Sequence, residues 1–122
     1  MKTVHDPRHI KRVQIIQELF AWNSNHGAEI KHQDSRKIIK NITKLDQLVL
    51  QVAPDWPINQ LSKIDLAILR LSIFELMIDK SVPFKVIVDE AVELAKDFGA
   101  DSSPGFINGV LGKIITTHKL DQ

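Results

Sequence analysis

The amino-acid sequence predicts an all-α protein, a single-domain bundle of five to seven helices covering residues 1–122. Apolar side chains recur at three- and four-residue intervals through most of the chain, which is the period of an amphipathic helix. No segment shows the strict alternation of apolar and polar residues that is typical of a strand. Capping residues and prolines stand at the ends of the periodic segments and give each helix a definite start and stop.

The first predicted helix covers residues 8 to about 22. Asp6 provides an N-cap oxygen, and Pro7 suits the first turn because the backbone N–H that proline lacks has no partner there. Apolar residues cover one broad face, with Phe20 near its edge and Arg12 inside the apolar arc. A cluster of asparagine, serine and glycine follows and ends the helix.

A second helix is predicted to begin at Asp34 or Ser35 and to continue to about Val52. One face carries an apolar stripe, and four cations occupy much of the rest of the surface (Arg36, Lys37, Lys40 and Lys44). A segment rich in proline then breaks the helix, and Trp56 is expected to plug the junction that follows.

The third predicted helix is the most apolar segment of the chain. A short turn over residues 57–61 leads to Ser62, which caps a helix that continues to about Asp79. Its polar residues fall in one narrow strip, so the other helices are expected to surround it. Arg70 points roughly 140° away from Asp65 at the helical period. Its guanidinium therefore needs a partner inside the protein.

Two further helices complete the predicted bundle. The fourth begins at Pro83 and ends at Phe98, with Gly99 at the C′ position that favours glycine. The fifth opens at the Ser102 segment and continues to about His118.

Composition and motifs favour a binding protein over an enzyme. The chain has no cysteine, which excludes disulfides, thiolate metal sites and a cysteine nucleophile. It shows no phosphate-binding glycine pattern, no nucleophile motif and no metalloprotease motif. His5 and His9 stand four residues apart, and a carboxylate stripe runs along the fourth helix, but surface positions explain both better than a metal does (Asp89, Glu93 and Asp97). We expect no cofactor, no bound metal, no membrane span and a cytoplasmic location.

The net charge of +1 hides an uneven distribution. Residues 1–61 carry nine basic and six acidic side chains, a net of +3, whereas residues 62–122 carry seven and nine, a net of −2. The excess of basic residues is largest at the N-terminus, where Lys2 and three cations of the first helix are accompanied by a single aspartate. Basic side chains near an exposed ring such as Phe20 suit single-stranded nucleic acid. Phe106, beside Gly109, is either a docking anchor for a partner or a residue packed under the preceding loop.

Three segments of the chain resemble the NusB transcription antitermination family. They are residues 62–76 (SKIDLAILRLSIFEL), 82–96 (VPFKVIVDEAVELAK) and 106–111 (FINGVL), in the same order as in the family. Residues 17–22 (QELFAW) resemble the first helix of the family more loosely. The resemblance implies a small all-α protein that binds the boxA element of nascent ribosomal RNA. It also implies a partner, the ribosomal protein NusE, and a role in helping RNA polymerase pass terminators.

The resemblance also implies which residues form the contacts. The predicted RNA-binding residues are Arg8, Lys11, Arg12, Phe20 and Asp65. The predicted NusE-binding residues are Asp101, Ser102 and Phe106. Arg70 and Glu90 also match the family pattern, but we expect each to form a buried pair between two helices. The chain departs from the family in a thinner N-terminal basic run, in phenylalanine where tyrosine is usual, and in a shorter segment between Trp22 and Trp56.

Two alternatives stay open at this point. A similar helical domain precedes the catalytic domain of some ribosomal RNA cytosine methyltransferases. A shortened paralogue that has lost RNA binding and serves only in protein interactions is the other.

Overall fold

A computed structural model describes residues 6–122 of the chain, so the predictions for Lys2 and His5 lie outside the described residues. Six α-helices occupy the described part, and no strand occurs in it. The helices are α1 (Pro7–Ser24), α2 (Gln33–Lys40), α3 (Ile42–Val52), α4 (Lys63–Phe74), α5 (Phe84–Phe98) and α6 (Ser103–Thr117). A 3₁₀ turn over Ile58–Gln60 precedes α4. The predicted all-α bundle is confirmed.

The central position predicted for α4 is confirmed. All residues from Leu66 to Phe74 are buried, and α4 contacts each of the other five helices. Ser62 caps this helix as expected, since its Oγ accepts a hydrogen bond from the Asp65 amide at 3.1 Å. All six helices contribute to one continuous apolar core, which burial of their inward faces stabilises.

The single long helix predicted over residues 34–52 is wrong, because the chain turns at Asn41. The side-chain Nδ2 of Asn41 donates at 2.7 Å to the backbone carbonyl of Lys37, in the last turn of α2. Asparagine side chains compete with the backbone in this way and disfavour helix interiors. The result is two shorter helices, α2 and α3.

The C-terminal end of the third predicted helix is a π-helical turn over Glu75–Asp79. The Lys80 amide donates to the carbonyl of Glu75 at 3.0 Å, a span of five residues. Lys80 itself has a left-handed backbone, with φ of 57°, and ends the helix. A π turn places one extra residue within a helical turn, and Glu75, at its start, faces the interior of the bundle.

Gly99 ends α5 as predicted, but not through a left-handed backbone. Its φ is −93°, a value open to any residue. The position instead brings α5 and α6 very close together. A Cβ atom at this position would lie 2.5 Å from Ser103 Oγ and 2.8 Å from the Ala95 carbonyl oxygen.

We therefore expect Gly99→Ala to lower the free energy of unfolding by about 1–3 kcal/mol, since the junction cannot accept a methyl group without moving backbone. Urea denaturation followed by circular dichroism measures this. Gly112→Ala is the matched control, because a Cβ there meets no atom within 4 Å. The control is expected to stabilise α6 slightly, because Gly112 is an exposed position of this helix and alanine favours the helix more than glycine. Equal effects of the two substitutions would contradict the close-packing explanation.

The carboxylate of Glu18 fixes the segment that leads into α2. It accepts hydrogen bonds from the amides of Lys31 at 2.7 Å and His32 at 3.2 Å. Burial raises the pKa of Glu18, but the amide hydrogen bonds outweigh it and hold the pKa below the usual 4.5. Because the folded pKa is depressed, this stabilisation is present above pH 4.5 and is lost as the pH falls below it.

Glu18→Gln is accordingly expected to cost roughly 1–2 kcal/mol near pH 7 and much less at pH 3, where the wild-type carboxyl is protonated. Denaturant titrations at the two pH values measure the difference. A cost that does not change with pH would contradict the role of the charge.

Candidate nucleic-acid and partner interface

The first turns of α1 present two exposed cations. The Arg8 side chain is 80% exposed, and its Nε lies 3.5 Å from Asp6 Oδ1. Lys11 is half-exposed, and its Nζ lies 2.8 Å from Asp34 Oδ2 at the start of α2. Both predicted RNA-binding side chains are therefore accessible, and Lys11 lies against α2.

Arg12 lies beneath this surface, with only 8% of its side chain exposed. Its guanidinium donates to both carboxylate oxygens of Glu75, at 2.9 and 2.7 Å, and lies 3.3 Å from Glu90 Oε1. Burial lowers the pKa of Arg12, but the two carboxylates outweigh it and raise the pKa above its usual value. The structure thus assigns this arginine to the interior, and its predicted RNA contact would require these ion pairs to open.

Two charged positions of the family pattern are buried pairs, as expected. Glu90 on α5 pairs with Arg12 on α1, and its Oε2 lies 3.1 Å from His9 Nδ1. Arg70 on α4 forms a two-pronged pair with Asp46 on α3, at 2.9 and 2.8 Å. Because each pair joins two helices, packing explains these four residues without a direct role in binding.

Arg70 has two further partners at the end of α1. Its Nη1 donates to the side-chain oxygen of Asn23 at 3.0 Å. Its guanidinium carbon lies 5.9 Å from the centre of the Trp22 ring, within the range of a cation–π contact. The ring of Trp22 stacks in turn on His26, with centroids 4.2 Å apart. The end of α1 is therefore fixed against α3 and α4.

The predicted aromatic contact, Phe20, faces solvent, with 44% of its surface exposed. Lys11 and Phe20 are nine residues apart, which at 100° per residue puts them on opposite sides of α1. The structure therefore does not unite all five predicted RNA-binding residues in one patch.

Asp65 lies in the first turn of α4, at the end of the bundle where α1 finishes. Lys63 Nζ donates to Ser24 Oγ at 3.0 Å, which places these two helix ends side by side. The Oδ1 atom of Asp65 is buried and has no hydrogen-bond partner among residues 6–122. Buried acceptors are nearly always paired, so an unpaired one is costly unless a ligand supplies the donor.

A second exposed aromatic group, Trp56, lies in the segment after α3, next to the start of α6. Trp56 is 54% exposed, so the prediction that it plugs a junction is wrong. Its ring contacts the edge of Phe106, with centroids 6.1 Å apart and planes at 69°. The two rings line a groove of about 240 Å³ between the segment after α3 and the first turns of α6. Gly105 and Gly109 lie on one wall of the groove, and this wall is open, since a Cβ on either residue would meet no atom within 4 Å.

Both alternatives for Phe106 stay predictions. The ring is half-buried against the core and also lines the open groove. Asp101 and Ser102, the other predicted partner residues, are exposed in the turn that leads into α6. Sequence analysis missed Trp56 as a candidate contact, although two flanking prolines that hold it outside a helix were visible in the sequence.

Neither a metal site nor a membrane span is found within residues 6–122. No three histidine, aspartate or glutamate side chains of this range gather closely enough to hold a metal ion. None of its helices has the length and apolar character to cross a membrane.

A family model described as the NusB family matches residues 32–116 of the chain. The transcription antitermination protein NusB of Chloroflexus aggregans is 49% identical over 80 residues, which cover 64% of this chain and 53% of that protein. The chain thus spans about half the length of this relative. The protein of the same name from Lachnoclostridium phytofermentans is 35% identical over 119 residues, which cover 93% of this chain and 87% of the relative.

Solved structures agree on the fold. The T. maritima NusB structure is 28% identical and matches over the full length of both chains, with a TM-score of 0.80. A structure of antitermination factors NusB and NusE in complex with dsRNA matches with a TM-score of 0.74 over 92% of this chain and 99% of that one. Its 22% identity supports the fold alone.

Proposed function

The chain belongs to the NusB family, and from that premise we propose that it is a transcription antitermination factor that binds boxA-type ribosomal RNA together with NusE. In this proposal it acts as an RNA-binding adaptor of the RNA polymerase antitermination complex in the cytoplasm and not as an enzyme. The names of its relatives support this function over the methyltransferase and protein-interaction alternatives.

The observation that carries the RNA contact is the exposed ring of Phe20 near the end of α1, beside the helix end that carries Asp65. Phe20 offers a flat face on which a base can stack. Asp65 offers a half-buried carboxylate, and base edges carry amino groups that donate. Arg8 supplies a positive charge for phosphate farther along α1.

The groove between Trp56 and Phe106 is the proposed contact for NusE. Interfaces favour aromatic anchors that are already held in place, because little side-chain entropy is then lost on binding. Phe106 is half-buried in the core and meets Trp56 edge to face, so both rings are positioned before a partner arrives. Asp101 and Ser102 add exposed polar groups in the turn that leads into the same helix.

Phe20→Ala is expected to weaken binding of boxA-type RNA about 5- to 150-fold, because one stacked base contributes about 1–3 kcal/mol. Fluorescence anisotropy with purified chain, with and without NusE, measures the affinity. Ile10→Ala is the matched control, because Ile10 is an exposed apolar residue on the same helix, with 41% of its surface accessible. Equal affinities of the two variants would overturn the stacking contact, and absence of RNA binding in every condition would overturn the proposed function.

Phe106→Asp is expected to abolish NusE binding and leave helical content unchanged, since the charge would enter the groove at its centre. Isothermal titration calorimetry measures the binding and circular dichroism the helix content. Val86→Asp places the same charge on a residue of α5 that is 42% exposed and does not line the groove. Loss of binding in both variants, or in neither, would contradict the assignment of this groove.

A further inference from the structure

The surface of α2 and the start of α3 is strongly basic in a chain that is almost neutral. Residues 31–44 contain five cations and one acid, Asp34, a net of +4, whereas the whole chain carries +1. We call the side chains on this surface the α2 track; they are Lys11, Arg36, Lys37, Lys40 and Lys44. Of these residues, only Lys11 is among the RNA-binding residues predicted from the sequence.

The track is exposed, and its charge is largely unbalanced. Arg36, Lys37, Lys40 and Lys44 are all exposed. The single acid nearby, Asp34, already pairs with Lys11 at 2.8 Å. Within the described part of the chain, no carboxylate forms an ion pair with the lysines of α2 and α3. A shallow depression of about 530 Å³ on α2 is lined by three of these cations and no carboxylate (Arg36, Lys37 and Lys40, with Gln33 and Ile39).

Helix stability explains only part of this pattern. Lys37 and Lys40 lie in the last turn of α2, where cations interact favourably with the helix dipole. Lys44 is the third residue of α3, where the dipole disfavours a cation. Lysines three and four residues apart on a helix surface also repel one another. Such a surface has a positive potential that attracts polyanions.

We propose that the α2 track binds the phosphate backbone of RNA that continues beyond the segment stacked on Phe20. This inference rests on the proposed function. Within α2, Lys40 is three residues from Lys37 and four from Arg36, spacings at which side chains lie about 5–6 Å apart on a helix surface. This is the scale at which successive phosphates are spaced along a strand. Lys11 lies on the opposite side of α1 from Phe20 and adjoins α2 through Asp34. An RNA that reaches both surfaces must therefore pass around α1, so we expect contact with the track to need RNA beyond the boxA element.

The test compares a boxA-type RNA with the same RNA extended by a single-stranded tail, across a series of salt concentrations. In the triple variant Lys37→Gln, Lys40→Gln and Lys44→Gln, we expect affinity for the extended RNA to fall about tenfold or more at low salt. The slope of log affinity against log salt should fall by about 2, since each phosphate contact on a single strand contributes about 0.7. Affinity for the short RNA should not change.

A second triple variant has the same change in net charge and serves as the control: Lys80→Gln, Lys85→Gln and Lys96→Gln, all exposed and outside the track. Equal behaviour of the two variants on the extended RNA would overturn the α2 track, as would a wild-type chain that binds short and extended RNA equally. If the first variant instead lost affinity for NusE alone, the track would be a protein interface and the inference would be wrong. Lysine-dependent binding of the tail without any preference for boxA would support the track and overturn the proposed function.

Discussion

Arg12→Ala is expected to lower the free energy of unfolding by about 3–5 kcal/mol and the midpoint of thermal unfolding by roughly 10 °C or more. The substitution leaves Glu75 and Glu90, whose side chains are 12% and 5% exposed, without the cation that lies between them. A buried carboxylate that loses its partner keeps the full cost of dehydration. Guanidinium chloride denaturation at neutral pH measures the loss, which is a large share of the stability of an ordinary domain.

Lys11→Ala is the control for this prediction. It removes a cation one residue away whose ion pair with Asp34 is exposed to solvent, and such pairs contribute at most about 1 kcal/mol. If Arg12→Ala were as stable as Lys11→Ala and yet bound RNA more weakly, the side chain would act as an RNA contact. That result would contradict its assignment to the interior.

Arg70→Ala is expected to cost about 3 kcal/mol, since Asp46 is left without its partner and the contacts with Asn23 and Trp22 are lost together. The loss should be somewhat smaller than that of Arg12→Ala because Asp46 keeps 24% of its side chain in contact with water. Denaturant unfolding followed by circular dichroism measures the stability, and tryptophan fluorescence in a Trp56→Phe background measures the environment of Trp22.

Arg70→Lys separates charge from geometry. A lysine keeps the positive charge but cannot form the two parallel hydrogen bonds that the guanidinium forms with Asp46. We expect it to recover less than half of the lost stability. Full recovery would show that charge alone matters at this position and would contradict the role assigned to the two-pronged geometry.

The helices and the core were predictable from the sequence because they depend on the spacing of apolar residues. The buried positions of α4 follow from that spacing, and so does the need of Arg70 for an internal partner. The breaks were less predictable. Asn41 divides one apolar period into two helices through a single side-chain hydrogen bond, and the π turn at Glu75 leaves the apolar pattern almost unchanged. The helix break and the π turn both depend on local hydrogen bonds, which the spacing of apolar residues does not predict.

The exposure of some candidate interface residues was predictable from the sequence, but their arrangement was not. An exposed Phe20 follows from its place at the edge of an apolar face. The Arg12 side chain lies in the interior because it pairs with Glu75 and Glu90, which are 63 and 78 residues away along the chain. The contact of Trp56 with Phe106 likewise joins two distant segments. Such pairings are set by how helices pack, which the sequence of either helix alone does not specify.

The π turn has a consequence for how this chain can vary over evolution. A π turn absorbs one extra residue within a single turn, so loss of one residue between Glu75 and Asp79 would convert it to an ordinary α-helical turn. The connection from α4 to α5 would then be one residue shorter, and the position of Lys80, which ends the helix, would change. Glu75 and Glu90 lie on the two sides of this connection and contact one guanidinium. The length of the segment therefore bears on the buried ion pairs, whereas exchanges among apolar residues at Met77 and Ile78 do not change it.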